Sequence, residues 1–95
     1  MVYVSLTDKI KYTEEEYRRL AEAFNDKQIM KYLRILHVQG SVYHATTETK
    51  YGQNSATIIL DRKNLNAVIS GCSESINFIR ATLEKIVEDS KLKHE

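Results

Sequence analysis

Between Leu65 and Val87 nine apolar residues, among them Leu65, Ile69, Cys72, Ile76, Ile79 and Leu83, fall in phase on one helical face. A stripe of that length constrains the fold more than any other feature of the chain, because it demands a partner surface along its whole extent. Read as one element, it predicts a helix of about seven turns. Gly71 inside it would cost ~1 kcal/mol relative to alanine, which nine in-phase apolar residues can offset. A second reading stays open, in which Asn66 to Ser70 is a strand, Gly71 turns the chain and Ser73 or Ser75 caps a shorter helix. The long helix is the favoured expectation, with residues 91 to 95 as a fraying tail.

The remainder of the chain supplies the matching surface. Val2, Val4 and Leu6 alternate with polar residues at the period of a half-buried strand. Thr13 followed by Glu16 is a capping box, and Tyr17, Leu20, Ala21 and Phe24 then form an apolar stripe at helical spacing. Glu14 with Arg18 and Glu15 with Arg19 are favourable i,i+4 pairs on that helix. At Asn25-Asp26 the stripe loses phase, and Ile29, Met30, Leu33 and Leu36 predict a kink or a second short helix, ended at Gly40. Ser41 to Tyr51, rich in Val, Tyr and Thr, and Ala56 to Leu60 read as two strands of an antiparallel hairpin around Gly52 to Ser55. The expected fold is α+β, in the order β-α-β-β-α, with both helices on one face of an antiparallel sheet and residues 1–95 forming one domain.

Composition removes several functions. Fourteen basic and thirteen acidic residues leave a formal charge of +1, so no global field attracts nucleic acid or an anionic membrane. A single cysteine excludes an internal disulfide framework and suits a reducing compartment. No stretch approaches the ~20 apolar residues of a membrane span, and the start of the chain lacks the pattern of a secretory leader, so a cytoplasmic protein without membrane partners is expected. There is no Gly-rich phosphate loop, no His-Glu-x-x-His and no Cys-x-x-Cys, and neither catalytic residues nor a cofactor are expected. His37 and His44 are able to converge around Gly40, but with Glu48 they would reach only three ligands, and no metal site is assigned. Cys72 reads as a small buried hydrophobe.

Lys27, Lys31 and Arg34, at spacings of four and three, would stack on one helical face. There they could track a phosphate backbone, although a solvated face is the commoner meaning of such a set. Tyr32 and Tyr51 offer ring surfaces, without the motifs of the common RNA-binding modules. Phe78 would point away from the apolar stripe, beside Ala67, Gly71 and Thr82. That arrangement is either a groove with one aromatic knob for a partner helix or a broad face packed on the chain's own first helix.

The strand Ala56-Thr57-Ile58-Ile59-Leu60-Asp61, the following Asn64-Leu65-Asn66-Ala67 and the later Ile76-Asn77-Phe78-Ile79-Arg80-Ala81 resemble the small dimerising subunit of the KEOPS tRNA-modification complex, or a divergent paralogue of it. The resemblance implies a non-catalytic adaptor that forms a homodimer, or pairs with a related subunit, and docks on the protein subunits that make threonylcarbamoyl-adenosine in tRNA. Leu20, Phe24, Phe78 and Leu83 would be the docking residues, and Lys27, Lys31 and Arg34 the contacts to tRNA. The competing expectation is a free-standing small homodimer that binds nucleic acid or inhibits another protein.

Overall fold

The computed structural model describes residues 6–50 and 52–93, with side chains up to Ser90. Strand β1 (Leu6–Lys11) is followed by helix α1 (Glu14–Asn25), a short 3-10 turn (Gln28–Lys31), a meander of β2 (Arg34–Gln39), β3 (Val42–Thr49), β4 (Gly52–Asp61) and β5 (Asn66–Gly71), and helix α2 (Ser73–Lys93). The five strands form one antiparallel sheet in the order β1-β5-β4-β3-β2. α1 therefore carries the chain from one edge to the other, and the meander returns it strand by strand. The α+β class and the antiparallel sheet stand as expected, with five strands in place of three. The expected strand over Val2 to Leu6 lies outside the described residues except at Leu6.

Alternation places the core. Tyr43, Ala45 and Thr47 on β3, Ala56, Ile58 and Leu60 on β4, and Ala67, Ile69 and Gly71 on β5 are buried, while the residues between them are not. One face of the sheet is thus covered, and both helices cover it. α1 buries Tyr17, Leu20, Ala23 and Phe24, and α2 buries Ile76, Ile79, Leu83, Ile86 and Val87 in the same cluster. The start of α1 is the expected capping box: Glu16 donates its amide to Thr13 Oγ1 at 3.2 Å, and Thr13 donates its amide to Glu16 Oε1 at 2.9 Å. Arg19 pairs with Glu15 at 2.8 Å as expected, whereas Arg18 turns to Glu22 at 3.0 Å instead of Glu14.

Two segments differ from the expectation. The long helix over 65–92 does not form: Asn66–Gly71 is a strand, and the second reading is the one realised. Leu65 has φ +54°, incompatible with a right-handed helix. A side chain at Gly71 would meet Ala56 Cβ at 3.3 Å, so its small size permits β5 to lie close on β4. The stretch after Asn25 holds one 3-10 turn and then a strand, not a helix reaching Gly40. Gly40, at φ +62°, instead supplies the first residue of the Gly40-Ser41 turn between β2 and β3.

Helix α2 is held by polar contacts as well as by its apolar stripe. Asp8 of β1 forms an ion pair with Arg80, and the Tyr32 hydroxyl donates to Asp89 at 2.7 Å. The buried hydroxyls of Thr47 and Ser75 meet at 2.6 Å. These contacts fix which part of α2 faces inward. Leu83→Ala, at a fully buried position, should lower stability by ~2–5 kcal/mol, whereas Phe78→Ala, at a half-exposed one, should fall within ~1 kcal/mol. Urea unfolding of both variants checks the pair, with a fall in midpoint at unchanged slope expected for Leu83→Ala.

Candidate functional site

Among the described residues the sheet order leaves β1 and β2 each paired on one side only. An edge strand presents a row of unpaired backbone donors and acceptors, which must be blunted or used. β1 is blunted, because Lys9 and Lys11 stand exposed along it. β2 is not. Of the five large apolar side chains exposed among the described residues, Met30 (58%), Leu36 (60%) and Val38 (49%) belong to β2 and to the 3-10 turn that precedes it. Behind them lies a hollow of about 160 Å³, lined by Phe24, Ile29, Met30, Ile35, Val38 and Tyr43 together with Lys27.

The local sequence explains this edge. Ile29 and Leu33 are buried and anchor the turn against the core, which leaves the intervening Met30 outside. On β2, Arg34 and Ile35 oppose Thr46 and Ala45, the ladder slips at Leu36, and His37, Val38 and Gln39 oppose His44, Tyr43 and Val42. Leu36 is the extra residue of a β-bulge. Arg34, His37 and Gln39 consequently lie on the uncovered face of the sheet, and Ile35 and Val38 on the helix-covered face.

The docking residues expected from sequence divide. Leu20 and Leu83 are fully buried, and Phe24 is buried with its ring 4.5 Å from that of Tyr43. All three serve the chain's own core, and only Phe24 reaches the surface hollow. Phe78 is 49% exposed on α2. The groove expected beside it does not exist in that form, because Ala67 and Gly71 are on β5 and the Thr82 hydroxyl is bonded to the Phe78 carbonyl at 2.8 Å. Lys27, Lys31 and Arg34 do not share a helical face. They lie at the end of α1, in the 3-10 turn and at the start of β2, and all three are exposed. The structure thus gathers the basic set along the border that also carries the apolar patch. Tyr32 is engaged with Asp89, and Tyr51 lies outside the described residues.

Charge is segregated in a way that the net value conceals. α1 carries four glutamates against two arginines, α2 is balanced with four acids and four bases, and the described residues elsewhere hold eight bases against four acids. The acidic excess is thus confined to α1, the five strands are balanced with three acids against three bases, and the basic excess lies in the connecting turns. His37 and His44 face each other across β2 and β3, with ring centroids 5.8 Å apart. Glu48 is four residues further along β3, roughly 13 Å from His44. No cluster of three metal-ligating residues occurs among the described residues.

A wider hollow of about 470 Å³ lies between β1, Tyr12, Glu16 and α2, with Lys9, Lys11, Arg80 and Glu84 on its walls. Burial, helped by Glu16 and Glu84, pushes the Tyr12 phenol up to about 12, so it is a proton donor at neutral pH and not a base. Cys72 is not on the apolar stripe but immediately before α2. Its sulfur lies 3.1 Å from Ser75 Oγ, and this contact, with the amides of Ser75 and Glu74, holds the thiol below its ordinary value. No described helix is long and apolar enough to cross a membrane. No family model matches the chain, and no curated protein is similar enough to count as a relative.

The cysteine provides a check on this local geometry. Because the folded thiol titrates low, thiolate persists to lower pH than for an ordinary cysteine. The midpoint of iodoacetamide alkylation against pH should accordingly lie below the ordinary cysteine range. Ser75→Ala, which removes the largest cause, should move that midpoint upward.

Proposed function

We propose that this chain is a non-catalytic binding subunit whose working surface is the free edge at β2, where a protein partner adds a strand. The observation that carries the reading is the gathering of Met30, Leu36 and Val38 at the edge that lacks blunting lysines. Strand addition combines main-chain hydrogen bonds with side chains entering flanking hollows, and here the hollow lined by Phe24, Ile29 and Tyr43 adjoins the edge. The resemblance seen in the sequence gives this reading its specific form, a dimerising adaptor of a tRNA-modifying assembly. In that setting Phe78 on α2 is a second docking point, and the subunit that performs the chemistry is the partner.

The charge segregation favours a second role within the same reading. With the basic set Lys27, Lys31 and Arg34 in and beside the turn before β2, an RNA backbone would approach from that border, away from the acidic α1. The alternative of a free-standing nucleic-acid-binding dimer uses the same residues. Co-purification from native expression separates the two, since the first yields a multi-subunit tRNA-modifying assembly and the second a lone dimer.

The edge itself is tested by Leu36→Glu combined with Val38→Glu. Both side chains are exposed, so the urea midpoint should change little, while association measured by sedimentation should weaken by about tenfold or more, as loss of an anchor of 1.4 kcal/mol or above requires. Unchanged association would remove β2 from the function. For RNA, replacing Lys27, Lys31 and Arg34 together by alanine should weaken tRNA binding and flatten its dependence on salt, by roughly one unit of slope for each lost phosphate contact.

A further inference from the structure

We infer that the occupant of the β2 edge is the β2 strand of a second copy of this chain, paired antiparallel so that Arg34 faces Gln39 of the other copy, Ile35 faces Val38 and Leu36 faces His37. The inference rests on the proposed role of β2 and names its partner and register.

The argument begins with symmetry. A two-fold axis perpendicular to a sheet keeps every side chain on its own face, so residues that oppose each other across the junction must point the same way. In a regular strand the faces alternate strictly. Such a strand can self-pair only about a residue, which then meets its own copy. β1 shows the consequence, because an axis at either of its central residues would set Asp8 against Asp8 or Lys9 against Lys9. Like charges directly opposed are unfavourable.

β2 is released from this rule by its bulge. The slip at Leu36 makes the faces run open, covered, then open, covered, open on either side of it, as the partners Thr46, Ala45, His44, Tyr43 and Val42 establish. The faces of its paired residues are therefore symmetric about the point between Leu36 and His37. The four residues that flank this axis pair with matched faces: Arg34 and Gln39 both on the open face, Ile35 and Val38 both on the covered one, with the bulged Leu36 meeting His37 at the axis. No cation meets a cation in the ladder. Ile35 and Val38 form an apolar cross-strand pair twice over, and these pairs lie at the mouth of the hollow that also holds Met30. The product is a continuous ten-stranded sheet with all four helices on one side.

The alternative edge pairing, β1 on β2, is heterologous and would propagate into an open filament. The lysines of β1 oppose it. The β2 junction closes with two copies, and its short strands place it at the small end of protein interfaces, where reversible association is the rule.

The register is read by cross-linking. In a Cys72→Ser background, Arg34→Cys and Gln39→Cys are made in separate, differently tagged chains, mixed at tens of micromolar and mildly oxidised. Opposed strand residues stand ~4.5–5.5 Å apart between Cα atoms, within the ~4.4–6.8 Å of a disulfide. Each residue is about 16 Å from its own copy, five residue rises along the strand. Mixed disulfide should exceed either self-disulfide by roughly tenfold, since only the mixed pair meets that geometry. Self-disulfides of equal yield, or no disulfide, overturn the inference. Sedimentation of the unsubstituted chain distinguishes the two levels. A monomer at these concentrations, with Leu36→Glu and Val38→Glu still abolishing binding to another protein, overturns the second copy as occupant and leaves the role of β2 standing. A dimer unaffected by the two substitutions overturns both.

Discussion

Everything in this fold follows from a sheet that is covered on one face only. β3, β4 and β5 each bury every second residue, and α1 and α2 close over that side with stripes of matching width. Two helices are enough to exclude water from one face of five strands. Nothing in the described residues covers the other, where Thr46, Thr57 and Ser70 alternate with Val42, Ile59 and Val68 at intermediate exposure. A single-sided sheet also has two edges. How each edge is treated decides what the molecule can join, and the two are treated differently: lysines along β1, apolar side chains and a bulge along β2.

α2 relates these edges to each other. Its start is tied to β3 through Ser75 and Thr47, its middle to β1 through Arg80 and Asp8, and its later part to the turn before β2 through Asp89 and Tyr32. The Thr47–Ser75 contact matters most for the position of the helix, because without it the buried Thr47 hydroxyl would lose its partner, at ~1–3 kcal/mol, while Ser75 would keep only the weaker contact with the Cys72 sulfur. The Asp8–Arg80 pair is partly exposed and contributes less. The helix acts as a brace from one edge to the other.

Much of this was legible in the residues. The capping box at Thr13 and the stripe of Tyr17, Leu20 and Phe24 mark α1, and the Val- and Thr-rich run marks β3, because local periodicity and burial agree there. The two segments that misled do so for physical reasons. Around Leu65 to Cys72 a strand that buries alternate residues happens to continue, in phase, the stripe of the helix after it, and the decisive signals are φ at Leu65 and the close approach at Gly71, neither of which a periodicity records. On β2 the bulge itself hides the strand: Ile35, Leu36 and Val38 do not alternate because Leu36 is an extra residue, so with Ile29 and Leu33 they imitate a helix. Of the candidate site, sequence found the basic residues Lys27, Lys31 and Arg34 but placed them on one helix. It missed Met30, Leu36 and Val38 as an exposed group, since an apolar residue at a plausible core spacing gives no sign of which side of the sheet edge it occupies.

The bulge has two opposed effects. Bulges at sheet edges commonly discourage pairing by twisting the strand and interrupting its ladder, and Leu36 does interrupt the pairing with β3. Toward a second copy, the same extra residue brings the faces into register. Magnitudes help to decide which effect prevails. Burying a Leu, Val or Met side chain fully is worth ~1.5–3 kcal/mol, and about half of that remains to be gained by Met30, Leu36 and Val38, whose exposures lie between 49% and 60%. Six such side chains in a dimer give roughly 6 kcal/mol, to which each new backbone hydrogen bond adds ~1 kcal/mol. Association itself costs ~4–15 kcal/mol. The balance is small and favourable only when the apolar pairs and the ladder form together, which is the condition that the symmetric facing of β2 meets and that β1, with charge opposed to like charge, does not. On the proposed pairing, a junction so balanced would hold two copies reversibly, and a better-fitting strand from another protein would displace one of them at the same edge.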